Sequence, residues 1–280
     1  MSFYISLTGL KAAQTDLSTI SNNVANVSST AFKKSKAEFG DIFAAAPMQT
    51  TNQVAGQGVR VQGVSQQFTQ GTLETTDKTL DLAVAGEGYF TVKGDDGTIS
   101  YTRNGAFSVD ENRFAVDTTG SRIQVFAVDP TTGVATGATT GATPADLTDL
   151  QIPTTLNGDI NGAQLNSVGV SKEGLVSAVY ADGSTVYLGQ VAMAAFNNQE
   201  GLRQEGDAHW TSTVASGTPM LGTANAGLFG SVNSGMLERS NVDITDELVN
   251  LIAAQRNFQA NSKAIEAANT LTTTIVNLRT

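Results

Sequence analysis

Catalysis and metal binding draw on a short list of side chains, and this sequence offers few of them in usable spacing. His209 is the only histidine and stands beside Trp210. A general base, a triad or a metal site normally relies on imidazole; one His on a β-rich segment reads instead as a surface or partly buried side chain. There is no cysteine, so no thiolate or disulfide framework exists, and a zinc site would need mainly carboxylates. Asp95-Asp96 could face a cation, but Lys93-Gly94-Asp95-Asp96-Gly97 is hairpin-turn chemistry. Gly86-Glu87-Gly88 lacks the third glycine and the following helix of a dinucleotide loop, and reads as a β-turn. Asp110, Glu111 and Asp117 lie on turns without the spacing of a calcium loop. Lys33, Lys34 and Lys36, the longest basic cluster, read as a solvated face. No catalytic, metal or cofactor constellation emerges.

Composition points the same way. With 280 residues, 40% of them hydrophobic, the chain is long enough to build a substantial core. Its 28 Gly and only 15% charged residues imply many turns and a large neutral surface suited to packing between copies. A net charge of −10 argues against nucleic acid, which needs clustered Lys and Arg on its phosphates. No apolar run reaches the ~18 residues of a membrane span. Met1-Ser2-Phe3-Tyr4-Ile5-Ser6 lacks the basic and apolar regions of a cleaved signal peptide. An exported chain of this kind requires another machine to read it.

The elements that must position any functional surface fall into two helical ends around a β-rich middle. Leu10, Ala13, Leu17, Ile20, Val24 and Val27 alternate steps of three and four, which predicts a helix with one apolar seam. Leu251, Ala254, Phe258, Asn261, Ile265, Ala268, Thr272 and Ile275 repeat the pattern near the far end, behind Asp243 as N-cap and Asp246 and Glu247 in the first turn. Long helices with a heptad seam usually meet a partner helix. Between them the period is two: Leu80/Leu82/Val84, Phe90/Val92, Ile99/Tyr101, Phe107/Val109, Phe114/Val116, Val168/Val170, Val186/Leu188 and Val191/Met193. Asp96-Gly97, Asn104-Gly105, Thr119-Gly120 and Asp182-Gly183 mark the turns.

The expected class is α+β, with the long terminal helices paired as a coiled-coil-like layer and an antiparallel β-rich domain between them. We divide the chain into an N-terminal helix at 1–30, an extended connector at 31–70, a β-rich domain at 71–225, a second connector at 226–242 and a C-terminal helix at 243–280. The stretch 129–163, rich in Thr, Gly and Ala, reads as a short surface insertion. Periodicity alone equally fits an ordinary α+β domain whose helices pack on its own sheet.

Longer motifs narrow this. Leu7-Thr8-Gly9-Leu10, then Ile20-Ser21-Asn22-Asn23-Val24-Ala25-Asn26-Val27 and Ala31-Phe32-Lys33, resemble the N-terminal motif of the bacterial flagellar rod and hook proteins, with Ala31 where that family usually has Gly. In matching order come Gly58-Val59 to Gly71-Thr72-Leu73, Leu80-Asp81-Leu82-Ala83-Val84 with Gly86, Gly88, Tyr89 and Phe90, and Tyr101-Thr102-Arg103-Asn104-Gly105-Ala106-Phe107. Gly235 to Asn241-Val242-Asp243, Glu247-Leu248-Val249-Asn250 and Ala254-Gln255-Arg256-Asn257-Phe258-Gln259-Ala260-Asn261 complete the series, the last closer to the hook form than to the rod form. The stretch where hook subunits carry an outer domain is short here, and the overall length is near that of a distal rod protein.

The resemblance implies a structural protein, not an enzyme, without cofactor. Its partners would be further copies in a helical homopolymer, the other axial proteins (rod, hook–filament junction and hook cap) and the flagellar type III export apparatus, with no nucleic acid and no membrane insertion. Its place would be the hook or basal body, reached without a cleaved signal peptide. Assembly would use the helix seam, Leu10, Leu17, Ile20, Val24, Leu251, Phe258, Ile265 and Ile275, while Asn22, Asn23, Asn26, Phe32, Asn241, Gln255, Arg256 and Asn261 carry the family motif. The Asn22–Asn26 cluster could hydrogen-bond between subunits or end its helix.

Overall fold

The two heptad segments form helices: α1 spans Ser2–Ala25 and α2 spans Ile244–Asn277. This computed structural model describes residues 2–43, 56–137, 141–155 and 162–277. At the start of α2, the Asp243 carboxylate accepts the amides of Thr245 (2.8 Å) and Asp246 (3.4 Å), satisfying donors that the helix itself cannot. Those two bonds hold the Asp243 carboxyl below its ordinary pKa. α1 closes as the Asn26 amide reaches the carbonyls of both Asn22 and Asn23 at 3.1 Å.

The chain divides into two units. The first comprises Met1–Ser28, Lys33–Gln67 and Val242–Thr280. In it, α1 and α2 lie antiparallel, since Gly9 stands against Asn261 while Asn23 bonds Glu247. The segment read as an extended connector contains an antiparallel strand pair, Ser35–Asp41 against Val59–Gln66, with an irregularity at Glu38/Phe39. The alternating Val59 and Val61 belong to it; the connector reading missed the first strand because Ser35–Asp41 carries no run of β-branched residues.

The second unit comprises Ser29–Phe32 and Phe68–Asn241. Its principal sheet has 12 strands among the described residues, every pairing antiparallel. The long strand Thr185–Ala195 organises it, pairing with Leu175–Tyr180, Arg122–Phe126, Tyr89–Lys93 and Met220–Thr223. Successive side chains on a strand point to opposite faces, and both faces are covered. Phe90, Val92, Val191 and Met193 enter one core with Leu82, Phe107 and Ile123, while Tyr89, Tyr101, Ala192 and Ala194 enter another with Phe196 and Trp210. Covering on both sides leaves Tyr89, Phe90, Thr91 and Val92 all buried, although the sequence showed only the alternation of Phe90 and Val92.

Two stretches differ from expectation. Leu150 and Ile152, in the segment read as a surface insertion, are buried in the first core, and Thr148–Asp149 pairs with Arg122–Phe126. The second connector contains Ser231–Ser234, paired with Leu82–Ala85, and Met236–Glu238, paired with Leu73–Thr75. All these strands are short, too short for a period of two to register.

Several family-motif residues close this unit. The buried Arg103 guanidinium lies 3.4 Å from the buried Glu238 carboxylate and 5.1 Å from the Tyr89 ring centroid, and Glu238 also accepts the Gly71 amide at 2.8 Å. Ala31, fully buried, donates its amide to the Glu238 carbonyl and holds φ 57°, the left-handed region that favours the glycine the family usually has there. A Cβ on Gly105 would overlap the Leu82 carbonyl oxygen. Gly105→Ala therefore forces backbone apart and should destabilise the β-rich unit by about 3 kcal/mol in denaturant melts. A loss within experimental error would contradict this packing.

Candidate assembly interface

The first unit carries the residues expected to assemble. Its α2 helix shows a single sheltered line: Glu247, Leu251, Ala254, Phe258, Asn261, Ile265 and Ala268 are buried or half-buried at alternating steps of four and three, while most residues between them are exposed. On α1, Ala13 and Ile20 are buried, whereas Leu10, Leu17 and Val24 are half-buried. The Ile275 side chain lies outside the described residues. On α2 the predicted seam follows this line from Leu251 to Ala268 and leaves Thr272 exposed, whereas on α1 the sheltered face is broader and also buries Ala12, Thr19 and Asn23. Of the large apolar seam residues whose side chains are described, only Ile20 is buried, because two helices alone leave the flanks of larger side chains uncovered.

At one end the seam is polar. Glu247 is 2% exposed, and its carboxylate accepts the Asn23 side-chain amide at 3.2 Å and faces Lys34 Nζ at 3.5 Å. Asn23, 1% exposed, also donates to the Ser35 carbonyl at 2.8 Å and accepts the Ser35 amide at 2.9 Å. One asparagine therefore ties α1 to the first strand and to α2, so its bonds lie within the subunit rather than between subunits. Asp16 lines the same cleft of about 400 Å³. Burial, and then the charge of Glu247, push the Asp16 carboxyl up.

The remaining motif residues do not converge on one site. Asn22 is exposed, and Asn26 returns its side chain to the Asn22 carbonyl at 3.0 Å. Gln255 and Arg256 are exposed on α2, and Asn261 bonds the Asn257 carbonyl at 3.0 Å. Phe32 and Asn241 belong to the β-rich unit, where the Phe32 carbonyl accepts the Asn241 amide and the Asn241 side chain holds Thr69 at 2.9 and 3.1 Å.

Sequence reasoning placed Glu247 in the first helical turn and missed its larger role. The available signal was register: it stands four residues before Leu251, on the seam, where a charge needs a partner. Lys33 is buried and Lys34 engaged with Glu247, so those two do not form the solvated face first read there. His209, read as surface or partly buried, is 5% exposed and bound to Asp117. Among the described residues, no three His, Asp or Glu side chains converge as a metal site requires.

This architecture has relatives. Family profiles match in three successive stretches: Flagella basal body rod protein over residues 3–33, Flagellar hook protein FlgE/F/G D1 domain over 83–178, and Flagellar basal body rod FlgEFG protein C-terminal over 233–278. The flagellar basal-body rod protein FlgG of Bacillus subtilis is 34% identical, with 99% of this chain and 98% of that protein aligned. The chain belongs to the flagellar hook and rod protein family. The flagellar hook protein FlgE of Escherichia coli is 29% identical over an alignment of 410 positions that covers both chains fully. Among solved structures, the flagellar hook protein FlgE2 of Helicobacter pylori aligns over 50% of this chain and 38% of its own, at 17% identity and a TM-score of 0.24.

In this family member, the Asn23 knot sets a measurable local stability. Asn23→Ala strands the Ser35 backbone and removes a donor from buried Glu247, costing about 2 kcal/mol. Amide exchange in α1 should accelerate about 30-fold, with exchange in Thr185–Ala195 unchanged. Unaltered exchange in α1 would show that the knot does not hold the helix.

Proposed function

We propose that this chain is a structural subunit of the bacterial flagellum that polymerises into the hook, the flexible joint transmitting torque from rod to filament. The observation that carries this reading is the unfinished state of the helix pair. Ile244, Leu248 and Ile252, spaced by four along α2, are 47%, 47% and 49% exposed on a flank about a quarter-turn from the seam. Phe3, Tyr4 and Ile5 are likewise exposed at the start of α1. Aligned apolar side chains of this kind mark an interaction surface. Neighbouring copies would cover them and shut the half-open seam, giving a coiled-coil-like helical layer in a homopolymer.

The seam residues Leu10, Leu17, Ile20, Val24, Leu251, Phe258, Ile265 and Ile275 are the assembly determinants in this reading. The other axial proteins (rod, hook–filament junction and hook cap) are the end-on partners, and the type III export apparatus delivers the chain. Helices that complete their burial only on assembly suit delivery as a partly unfolded chain. A neutral surface with 15% charged residues suits interfaces that change register while the joint bends. No helix among the described residues is long and apolar enough to cross a membrane.

A rod subunit, a rigid shaft below the hook, is the second reading, and length favours it. The rod protein aligns over 293 positions, whereas the hook alignment runs to 410 against 280 residues here. Electron microscopy separates the two. Curved tubes from purified chain, and a deletion strain with complete rods but no hooks, are expected for a hook subunit; straight shafts and incomplete rods would assign the chain to the rod. Leu17→Asp, Phe258→Asp and Leu248→Asp should each abolish polymerisation while circular dichroism shows the β-rich unit still folded. Normal polymers from all three would remove the helix-layer argument.

A further inference from the structure

The only histidine of the chain sits in an environment whose hydrogen-bond geometry counts its protons. His209 begins the strand His209–Thr211, which pairs with Ile99–Thr102 on one side and with the outermost strand, Arg203–Gly206, on the other. Its Nδ1 lies 2.9 Å from the Asp207 carbonyl oxygen, which can only accept, so Nδ1 carries a hydrogen. Its Nε2 lies 2.6 Å from Asp117 Oδ2. A neutral ring with its hydrogen on Nδ1 would turn a lone pair toward a carboxylate oxygen at that distance, which is repulsive, so a second proton must lie between the two groups.

The surroundings decide where that proton rests. Asp117 Oδ1 already accepts three donors, the Thr119 amide at 2.8 Å, the Thr119 hydroxyl at 2.7 Å and the Ser121 amide at 3.0 Å, which favours the ionised carboxylate. The charged residues lining the cleft at His209 are Asp95 and Asp96 from the Lys93–Ile99 turn and Glu205 and Asp207 from the Arg203–Thr211 hairpin, all acidic. Arg122 lies 3.5 Å from Asp95 and 3.2 Å from Asp149, and Arg203 lies 2.9 Å from Glu205. The proton belongs to the imidazole, as an imidazolium paired with Asp117.

We propose that His209 and Asp117 form a proton-dependent latch that fastens the edge hairpin Arg203–Thr211 to the turn at Asp117–Ser121, and that releases as pH rises through the titration of His209. Burial works to lower the His209 pKa, but the bond and charge of Asp117 outweigh it, so the ring titrates above its ordinary value. Burial likewise works to raise Asp117, and its bonds to His209 and Thr119 outweigh it, so that carboxyl lies below its ordinary value. The raised group binds its proton in the folded state after the unfolded chain has lost it. The latch is therefore at full strength from below pH ~6.5 down to the depressed Asp117 pKa, and is lost as pH rises through the folded His209 pKa. Within that upper window the unfolding equilibrium constant should grow by up to about tenfold per pH unit.

The chain supplies its own reporters. Its single His gives one imidazole signal in NMR, and its single Trp, Trp210, is the adjacent residue and is 1% exposed. In the full chain at pH 6.5, both ring nitrogens should show protonated ¹⁵N shifts, with a titration midpoint above the ordinary histidine value. Acrylamide quenching of Trp210 should increase several-fold across the same midpoint. His209→Gln, whose amide can still donate to Asp117, should abolish both the quenching transition and the pH dependence of unfolding between pH 6.5 and 9. A neutral ring at pH 6.5 would overturn the latch, as would Trp210 quenching that is flat across the His209 titration. If His209→Gln does not fold, the NMR and quenching titrations of the unaltered chain decide the matter alone.

Discussion

A buried carboxylate is costly unless its charge and lone pairs are met, and Glu247 sets that requirement at the seam between the two helices. Desolvation of such a group costs several kcal/mol, and it is offset only where donors are fixed in place. Lys34 and Asn23 supply them, and Asn23 is itself fixed by two bonds to the Ser35 backbone. Helix α1, the first strand and helix α2 therefore meet at one carboxylate. A purely apolar heptad seam can slide by a whole repeat with little loss, whereas a polar residue at one seam position specifies the register. The opposition of Asn23 and Glu247 brings Gly9 level with Asn261, where the absence of a Cβ lets the helices approach.

The two units follow different physical logics. The β-rich unit is finished within one chain: both faces of its sheet are covered, and Arg103, Glu238 and Gly71 close it with a charge-assisted network. The helical unit is unfinished, with most of its large seam residues half-buried and Ile244, Leu248 and Ile252 in water. A subunit that must be stable before assembly, yet complete its packing only in the polymer, benefits from this split. Stability comes from long-range sheet contacts, and in the proposed function assembly draws on the apolar surface that the helices leave exposed.

Much of this was legible residue by residue. The three-four spacing located both helices, Asp243 announced the start of α2, and the alternation around Phe90, Tyr101 and Val191 announced strands. The connectors were misjudged because Ser231–Ser234 and Met236–Glu238 are strands only by virtue of their partners, Leu82–Ala85 and Leu73–Thr75, some 150 residues earlier. Leu150 and Ile152 were lost in a Thr/Gly/Ala-rich background whose composition signals exposure. His209 looked isolated because Asp117, its partner, is 92 residues away in a turn of ordinary composition.

Sequence by itself determined what is periodic or short-range: helix and strand type, the cap, the scarcity of catalytic side chains, and the ordered motifs of the flagellar axial family. Such features are set by neighbours a few residues apart, so a linear string carries them in full. Only the tertiary structure decided which charges are buried and with whom, placing Glu247 with Lys34 and Asn23, Arg103 with Glu238, and His209 with Asp117. Electrostatic energies depend on distance through space and on the loss of water. Neither is written in sequence separation.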